Sequence, residues 1–523
     1  MNVAGLRARA ASQARAMPGT LRRHWLLAIL LAAGLALRVL AQIAYRPALL
    51  YIDTTKYLYN AYPGGDPVGY KAPLRLILAL GNLETVTAVQ HLLGLGMAVT
   101  CYVILVRLGT WRWLAALAAA PVLLDAYQVQ IEQTIMPDVW FEAVIVAAIA
   151  VLLIRPAGAS GLRMRSVVAA GLLLGASATV RQVGEILIFP ALLYLLALGG
   201  GWYKVVSRWL VMGVAFAVPI AGYMAGSLVI SGHAWLSNAT PSLTSYGRMA
   251  SAADCATLRI PAYERPLCPT ARQRGYGIDW LDHDIASPLK SYVAPAGMNR
   301  YAVISSFDRT VMLQQPQRVL AAIALDGAHL FGVTRTATQD GTPISRWQFQ
   351  QSYPSYGNWI MVSRSGVITF GLRLTPGDPT ITRVTLSGSY GGTAQVSKPA
   401  AGFLRAYQLG GGYTPGPLLA VLALAGLAGS ALTLLRRDRA GSLPFALGCL
   451  LFFASGVFVL LISDAFQFTW RYQLPALITL PPAGVLGIMA VARAVRGRSP
   501  AAAEPAAAEP ALAKAGEEVA LKD

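Results

Sequence analysis

Acidic and basic residues with aromatic neighbours recur at the edges of long apolar runs in this chain. The stretch 50-LYIDTTKYL-58 holds Asp53 and Lys56, and Lys71 stands in 69-GYKAPLR-75. Asp125, Glu132, Asp138 and Glu142 crowd 125-DAYQVQIEQTIMPDVWFE-142. Arg181 and Glu185 lie in 175-GASATVRQVGE-185, and Arg471 precedes Tyr472 in 470-WRYQLP-475. A carboxylate such as Asp53 can take a proton from a hydroxyl. Cations such as Lys71, Arg181 and Arg471 can hold a phosphate and meet the charge that develops on it as it leaves. Glu132 or Asp138 can orient an acceptor or hold a divalent cation (Mg, Mn or Ca).

Each residue alone also has a plain structural explanation. Asp53 can be a loop carboxylate or a helix cap, and Lys71 can extend toward headgroups. Arg471, between Trp470 and Tyr472, can be an interfacial anchor. The acidic turn can simply be solvated. His91 reads as a packed or hydrogen-bonded residue, because no second histidine has a ligand spacing. Arg38, within the first apolar run, faces a bundle or snorkels. Asn238-Ala239-Thr240 fits the glycosylation acceptor pattern, a common tripeptide.

The elements that must position these residues follow from composition. Of 523 residues, 55% are hydrophobic and 13% charged, where soluble domains carry about 25% charge. Apolar stretches of about 20 residues recur, the length a helix needs to cross hydrocarbon. The class is a polytopic α-helical membrane protein. A net charge of +19 would suggest nucleic acid in a soluble protein, but no nucleic-acid motif is present. The charge follows instead from basic cytoplasmic loops.

Hydropathy places ten spans, near 25–45, 86–106, 112–130, 138–154, 166–181, 184–200, 208–230, 415–435, 442–462 and 473–493. Arg7, Arg9, Arg15, Arg22 and Arg23 precede the first span, and Arg107 and Arg112 follow the second. Arg155, Arg163 and Arg165 follow the fourth, and Lys204 and Arg208 the sixth. The run 436-RRDR-439 follows the eighth, and Arg493, Arg496 and Arg498 the tenth. Every second loop is thus basic, which puts both termini in the cytoplasm. The first span reads as a retained signal anchor, since no cleavage site follows it. The expected location is a bacterial plasma membrane.

The expected organisation is a basic N-terminus (1–24) and a catalytic module of seven spans (25–230) with an outer loop at 46–85. An extracytoplasmic segment (231–414), three further spans (415–493) and a tail (494–523) follow. The outer segment has about 184 residues, enough for a small mixed α/β domain. Its VMLQQPQRVLAAIALDGAHLFG reads as helix, and GVITFGLRL and ITRVTLSGSY alternate like strands, with GDP as a turn. The tail, with AAAEPAAAEP, is low in complexity. Cys101 and Cys449 lie in apolar helices, whereas Cys255 and Cys268 share the outer segment and can pair in an oxidising compartment.

With this topology all five polar sites map to one membrane face. Cations there suit a lipid-linked phosphate, and a neighbouring carboxylate can serve as base for an acceptor hydroxyl. At this point the chain resembles the C-type (GT-C) polytopic glycosyltransferases that use polyprenyl-phosphate-linked sugars. These include protein O-mannosyltransferases, aminoarabinose transferases and actinobacterial arabinosyltransferases. The resemblance is carried by YIDTTKYL, GYKAP, IEQTIMPDVWFE, GLLLGASATVRQ and RYQLP, over roughly 25–230 and 415–493.

The resemblance implies that Asp53 is the base of an inverting transfer. It implies that Lys71, Arg181, Arg471 and Tyr472 bind the donor phosphate, with a cell-envelope glycan or protein as acceptor. Asp53 is followed by Thr54 where O-mannosyltransferases usually show Asp-Glu. Ala72 interrupts their usual Lys-Pro-Pro, so the likeness points to the superfamily. Two other functions fit a membrane chain. A lipid-linked-sugar transporter or flippase should show internal repeats and broken helices near the midplane. A scaffold should tolerate asparagine at Asp53.

Overall fold

A computed structural model describes residue 19 and residues 22–59, 67–154, 161–237, 241–337, 341–357, 359–372, 382–386, 390–434 and 443–496. The N-terminal arginines before residue 19, Arg155, the Asn-Ala-Thr tripeptide, the GDP turn, RRDR, Arg498 and the Ala-Glu-Pro tail lie outside these residues.

The helices begin and end close to the apolar runs. In chain order they are α1 (Trp25–Ala44), α2 (Thr54–Leu58), α3 (Lys71–Leu80), α4 (Leu83–Arg107), α5 (Arg112–Leu124) and α6 (Ala126–Glu132). Then come α7 (Asp138–Leu153), α8 (Met164–Val180), a 3-10 turn (Gln182–Leu187), α9 (Ile188–Leu198) and α10 (Trp202–Ser231). Five helices of the described chain are long and apolar enough to cross a membrane, or six if the bent pair α5–α6 is one span. The protein is multi-pass. The other helices at expected span positions are shorter, α8 having 17 residues. Helix α10 leaves Leu210, Val214, Val218 and Val229 exposed, an apolar band suited to lipid.

Local chemistry explains several boundaries. Asn82 caps α4 in a reciprocal capping box with Thr85. The α5–α6 break of 55° falls at Asp125, an extended residue whose side chain caps α6 through Tyr127 N–H at 3.0 Å. Helices α8 and α10 approach closely through Gly171-x-x-x-Gly175. A Cβ at Gly175 would lie 2.1 Å from the Phe216 carbonyl oxygen, so no larger residue fits there.

The outer segment contains α11 (Pro241–Ala252), α12 (Arg300–Gln314), α13 (Pro316–Ala328) and α14 (Lys398–Leu409). The stretch read as one helix is divided at Pro316, which opens α13 at its first turn. Strands β2 (Ile360–Val362), β3 (Ile368–Leu372) and β4 (Thr382–Thr385) form an antiparallel sheet in that order. The last two match the expected alternating runs, and β2 was not anticipated. The chain then returns through α15 (Gly416–Leu434), α16 (Leu443–Phe466) and α17 (Pro475–Arg496).

One buried core runs through the helix bundle and takes in Trp347, Ile360, Ile368 and Phe370 from the outer segment. A second gathers Tyr246, Leu267, Leu281, Ile304, Phe307 and Val319. Cys255 and Cys268 form a disulfide beside it, as their shared segment allowed. The outer segment is also tied directly to the bundle. β1 (Tyr45–Arg46) pairs with β5 (Gln395–Val396), and Ser397 N–H donates to Ala44 O at 3.0 Å.

Two buried carboxylates in the second core should make its stability pH-dependent. Burial pushes the Asp308 carboxyl up to about 8, against a hydrogen bond from Ser245 at 2.5 Å. Burial likewise raises Asp282 to about 7, although it accepts Gly247 N–H at 2.8 Å. Both folded values exceed the unfolded ones, so the folded chain binds more protons than the unfolded chain across that window. Stability therefore falls as pH rises from about 4 toward 8. Asp308→Asn is expected to flatten that fall, raising the thermal midpoint at pH 8 and leaving it little changed at pH 5. An unaltered pH profile would show that Asp308 does not titrate there.

Candidate functional site

The first outer loop is pinned before it can present a side chain. Leu49 N–H donates to Gln133 O at 2.9 Å, and Ile135 N–H returns to Leu49 O at 3.0 Å. Thr54 Oγ1 accepts from Tyr51 N–H at 2.9 Å and donates to Ile135 O at 3.0 Å. These bonds set Asp53 beside the start of α7. Asp53 occupies the position preceding α2, but its side chain makes no cap bond. It turns instead to Arg471, whose Nη1 donates to Asp53 Oδ2 at 2.8 Å.

Arg471 then continues to a second carboxylate. Its Nε donates to Asp138 Oδ1 and Oδ2 at 2.9 and 3.1 Å, and Arg181 Nη1 pairs with the same Asp138 Oδ1. Asp138 is the first residue of α7, where the helix dipole favours negative charge. Arg181 caps the end of the close-packed α8. Tyr472 lies between the cations, its ring 4.7 Å from the Arg181 guanidinium carbon and 5.3 Å from that of Arg471. Residues distant in sequence thus form one chain, Asp53–Arg471–Asp138–Arg181. Asp53 has a side-chain exposure of 30% against 2% for Asp138, so of the two carboxylates Asp53 is the one open to an incoming group.

The Asp53 carboxyl feels opposing forces. Burial raises its pKa, but the charges of Lys56 and Arg471, and the Arg471 hydrogen bond, outweigh that and hold it well below the usual carboxylate range. It is ionised throughout the physiological range.

Lys71 does not join this chain of ion pairs. Gly69 N–H donates to Thr179 O at 2.8 Å, which fastens the GYKAP turn to the end of α8. Tyr70 stacks edge-on against Tyr57 of α2 at 5.2 Å and donates to Gln90 at 2.8 Å. Lys71 Nζ is buried and has no hydrogen-bond partner among the described residues. Burial, with a smaller contribution from Arg75, lowers its pKa to about 8. A buried ammonium without a partner is costly, and an anion would relieve the cost.

Glu132 does not reach this cluster. It is buried among α1, α4 and α6, accepting from Arg38 Nη2 at 2.7 Å and facing His91 Nδ1 at 3.0 Å. Gly94 makes the room, since a Cβ there would fall 2.1 Å from Glu132 Oε1. Arg38 therefore faces the bundle, and His91 is a hydrogen-bonded packing residue. Asp125 is likewise occupied, receiving Arg335 through both oxygens at 3.1 and 2.6 Å. Glu142 accepts from Gln128 at 2.8 Å, and Glu185 is exposed. No group of three or more His, Cys, Asp or Glu able to hold a metal ion occurs among the described residues.

Several residues at the site escaped the sequence reading. Trp347 has the Arg471 guanidinium carbon 5.6 Å from its ring centre on one side and Tyr51 at 4.7 Å. Arg346 donates to Tyr51 Oη at 3.1 Å. Arg335 sits over Tyr127, Tyr413 and Trp470. The available signal was the dense aromatic and amide run 347-WQFQQSYPSY-356 in an otherwise unremarkable segment.

No family model matches the chain, and no curated protein does. Solved structures similar to it include these three. One is the S. cerevisiae protein O-mannosyltransferase Pmt1-Pmt2 complex bound to the sugar donor, at 15% identity over 46% of this chain and 37% of that one, TM-score 0.32. Another is ArnT from Cupriavidus metallidurans bound to undecaprenyl phosphate, at 13% identity over 88% and 77%, TM-score 0.33. The third is the Archaeoglobus fulgidus oligosaccharyltransferase in the apo form, at 13% identity over 92% and 52%, TM-score 0.34. The chain spans little more than a third of the first and about half of the third. Likeness at this level transfers no residue role, so the roles proposed below rest on the geometry of this site.

Proposed function

We propose that the protein is a membrane glycosyltransferase that moves a sugar from a polyprenyl-phosphate donor to an acceptor hydroxyl on the extracytoplasmic face, with inversion. The carrying observation is a partly exposed carboxylate, Asp53, held in one chain of ion pairs with two arginines; Lys71 adds a buried ammonium with no hydrogen-bond partner among the described residues. In this reading Lys71, with Arg181, Arg471 and Tyr472, receives the donor phosphate. Asp53 takes the proton of the acceptor hydroxyl as that oxygen bonds to the anomeric carbon and the sugar–phosphate bond breaks. The electrons of that bond leave with the phosphate, whose added charge the cations meet. Asp138 orients Arg471 and Arg181. The Cys255–Cys268 disulfide supports placing the outer segment in an oxidising compartment.

The direct test is release of radiolabelled sugar from a panel of polyprenyl-phosphate donors, mannose and arabinose included, by detergent-purified protein with glycan and peptide acceptors. Turnover of one donor supports the reading and names the sugar. No turnover of any donor by folded protein, with divalent cation supplied, would remove it.

The Lys71 role has its own signature. Lys71→Met is expected to weaken binding of polyprenyl phosphate about 10- to 100-fold, the effect of one hydrogen bond to a charged group. The same variant should unfold at an equal or higher temperature, because it removes a buried charge that has no partner among the described residues. Since Lys71 is cationic below about 8, wild-type affinity should fall as pH rises through that value, and the variant should lack this fall. Unchanged affinity in Lys71→Met would exclude Lys71 from the phosphate site.

A further inference from the structure

A cavity of about 530 Å³ opens between the first outer loop, α6 and residues 345–356, within the range of small-ligand sites. Its walls combine aromatic faces, amides and hydroxyls. Tyr51, Trp347 and Tyr356 form a connected aromatic wall, with ring centres 4.7 and 5.2 Å apart. Gln130, Gln348 and Gln350 line the rest with serines and a threonine. Arg346 is the one charged residue in the lining, and Asp279 pairs with it at 3.3 Å.

Such a lining selects by chemistry. An anion would find a cation already neutralised, and a cation would find no carboxylate in the walls. An apolar ligand would leave the amides without partners. Amides offer both donors and acceptors, which suits hydroxyls that are themselves both. Aromatic faces suit the flat C–H faces of a sugar ring. Two polar atoms strengthen the case. Gln130 Oε1 and Trp347 Nε1 belong to residues only 6% and 3% exposed, and neither has a hydrogen-bond partner among the described residues. Both atoms are enclosed in the cavity wall, one able to accept and the other to donate.

The position links this cavity to the reacting face. Gln130 and Trp347 also line a narrow crevice with Trp470 and Arg471 behind it. Trp347 thus stands between the cavity and the guanidinium that holds Asp53.

We infer that this cavity binds an uncharged, polyhydroxylated carbohydrate, the acceptor glycan, with Gln130 and Trp347 as recognition residues. The inference rests on the transfer reading above, but its test does not depend on turnover. Saturation-transfer NMR and isothermal titration would compare neutral di- and trisaccharides of mannose, arabinose and galactose with a uronate trisaccharide and a Ser/Thr-rich peptide. The proteins would be full-length wild type, Asp53→Asn, Gln130→Leu and Trp347→Phe. A neutral saccharide should bind wild type and Asp53→Asn alike, and lose at least tenfold in affinity in Gln130→Leu and Trp347→Phe, with thermal midpoints confirming that both are folded. Binding of none of the neutral saccharides, binding unaffected by both cavity variants, or preference for the uronate or the peptide would overturn it. Asp53-dependent transfer that persists without saccharide binding would remove the cavity assignment alone. Saccharide binding without any transfer would remove the transfer reading alone.

Discussion

Asp53→Asn is expected to lower sugar transfer by about two to four orders of magnitude, the usual contribution of a positioned base. The exchange is nearly isosteric, and an asparagine oxygen can still accept from Arg471 Nη1, which now reaches Asp53 at 2.8 Å. Arg471 also keeps both of its contacts to Asp138. The loss should therefore be chemical rather than structural. A carboxylate held below its usual range by Lys56 and Arg471 is a weak base. It cannot strip a free hydroxyl, so proton transfer must accompany bond formation, when the attacking oxygen becomes acidic.

Two consequences can be measured for Asp53. Activity should not decline between pH 8 and 5 through its titration, because the acid limb lies below the ordinary carboxylate range. Its pairing should stabilise the fold above the unfolded carboxylate pKa and be lost only as pH falls through the lower folded value. Single-turnover assays in a fixed detergent would give the size of the effect, and equal rates in both proteins would keep the enzyme and remove Asp53 as its base.

Glu132→Gln should have the opposite profile, a large loss of stability with transfer per folded molecule changed only a few-fold. Glu132 is fully buried, and its partner Arg38 is equally enclosed. Arg38 also donates to Gly34, Leu123 and Val122 carbonyl oxygens at 3.1, 2.9 and 3.0 Å. Neutralising the acid leaves a guanidinium held by carbonyls alone, at a cost of about 3–5 kcal/mol. The pair Arg38→Met with Glu132→Met should recover much of that loss, since apolar replacement of a whole buried pair is often close to neutral. Thermal unfolding of the single and double variants would measure both. A Glu132→Gln protein of normal stability that no longer transfers sugar would restore Glu132 as an acceptor or cation ligand.

Glu132 and Asp138 show where sequence reading stops. They lie six residues apart in one acidic turn, and hydropathy assigns them to the same face. What separates them is the 55° break at Asp125 and the start of α7 at Asp138, which turn one acid into the bundle and the other toward Arg471. Periodicity carries no record of that bend. The positions of the long apolar helices were legible, because they follow from where water and hydrocarbon meet. The Asp53–Arg471 pair was not, because its members are 418 residues apart and hydropathy does not encode pairing. Gln130 and Trp347 were hidden for another reason. Neither is charged, and only the folded cavity shows that an atom of each has no hydrogen-bond partner among the described residues.

The long-range pairing of Arg471 has a consequence for biosynthesis. At about 5–20 residues per second, roughly 20–80 s of translation separate Asp53 from Arg471, the distance being 418 residues. During that interval α1 and α7 are already made, and both acids wait without the guanidinium that joins them. The Asp53–Arg471–Asp138 cluster is consequently among the last parts of the molecule to be completed. An insertion intermediate stalled before α17 would carry the earlier helices and two carboxylates still short of their shared cation, a state that quality-control proteases could distinguish from the finished protein.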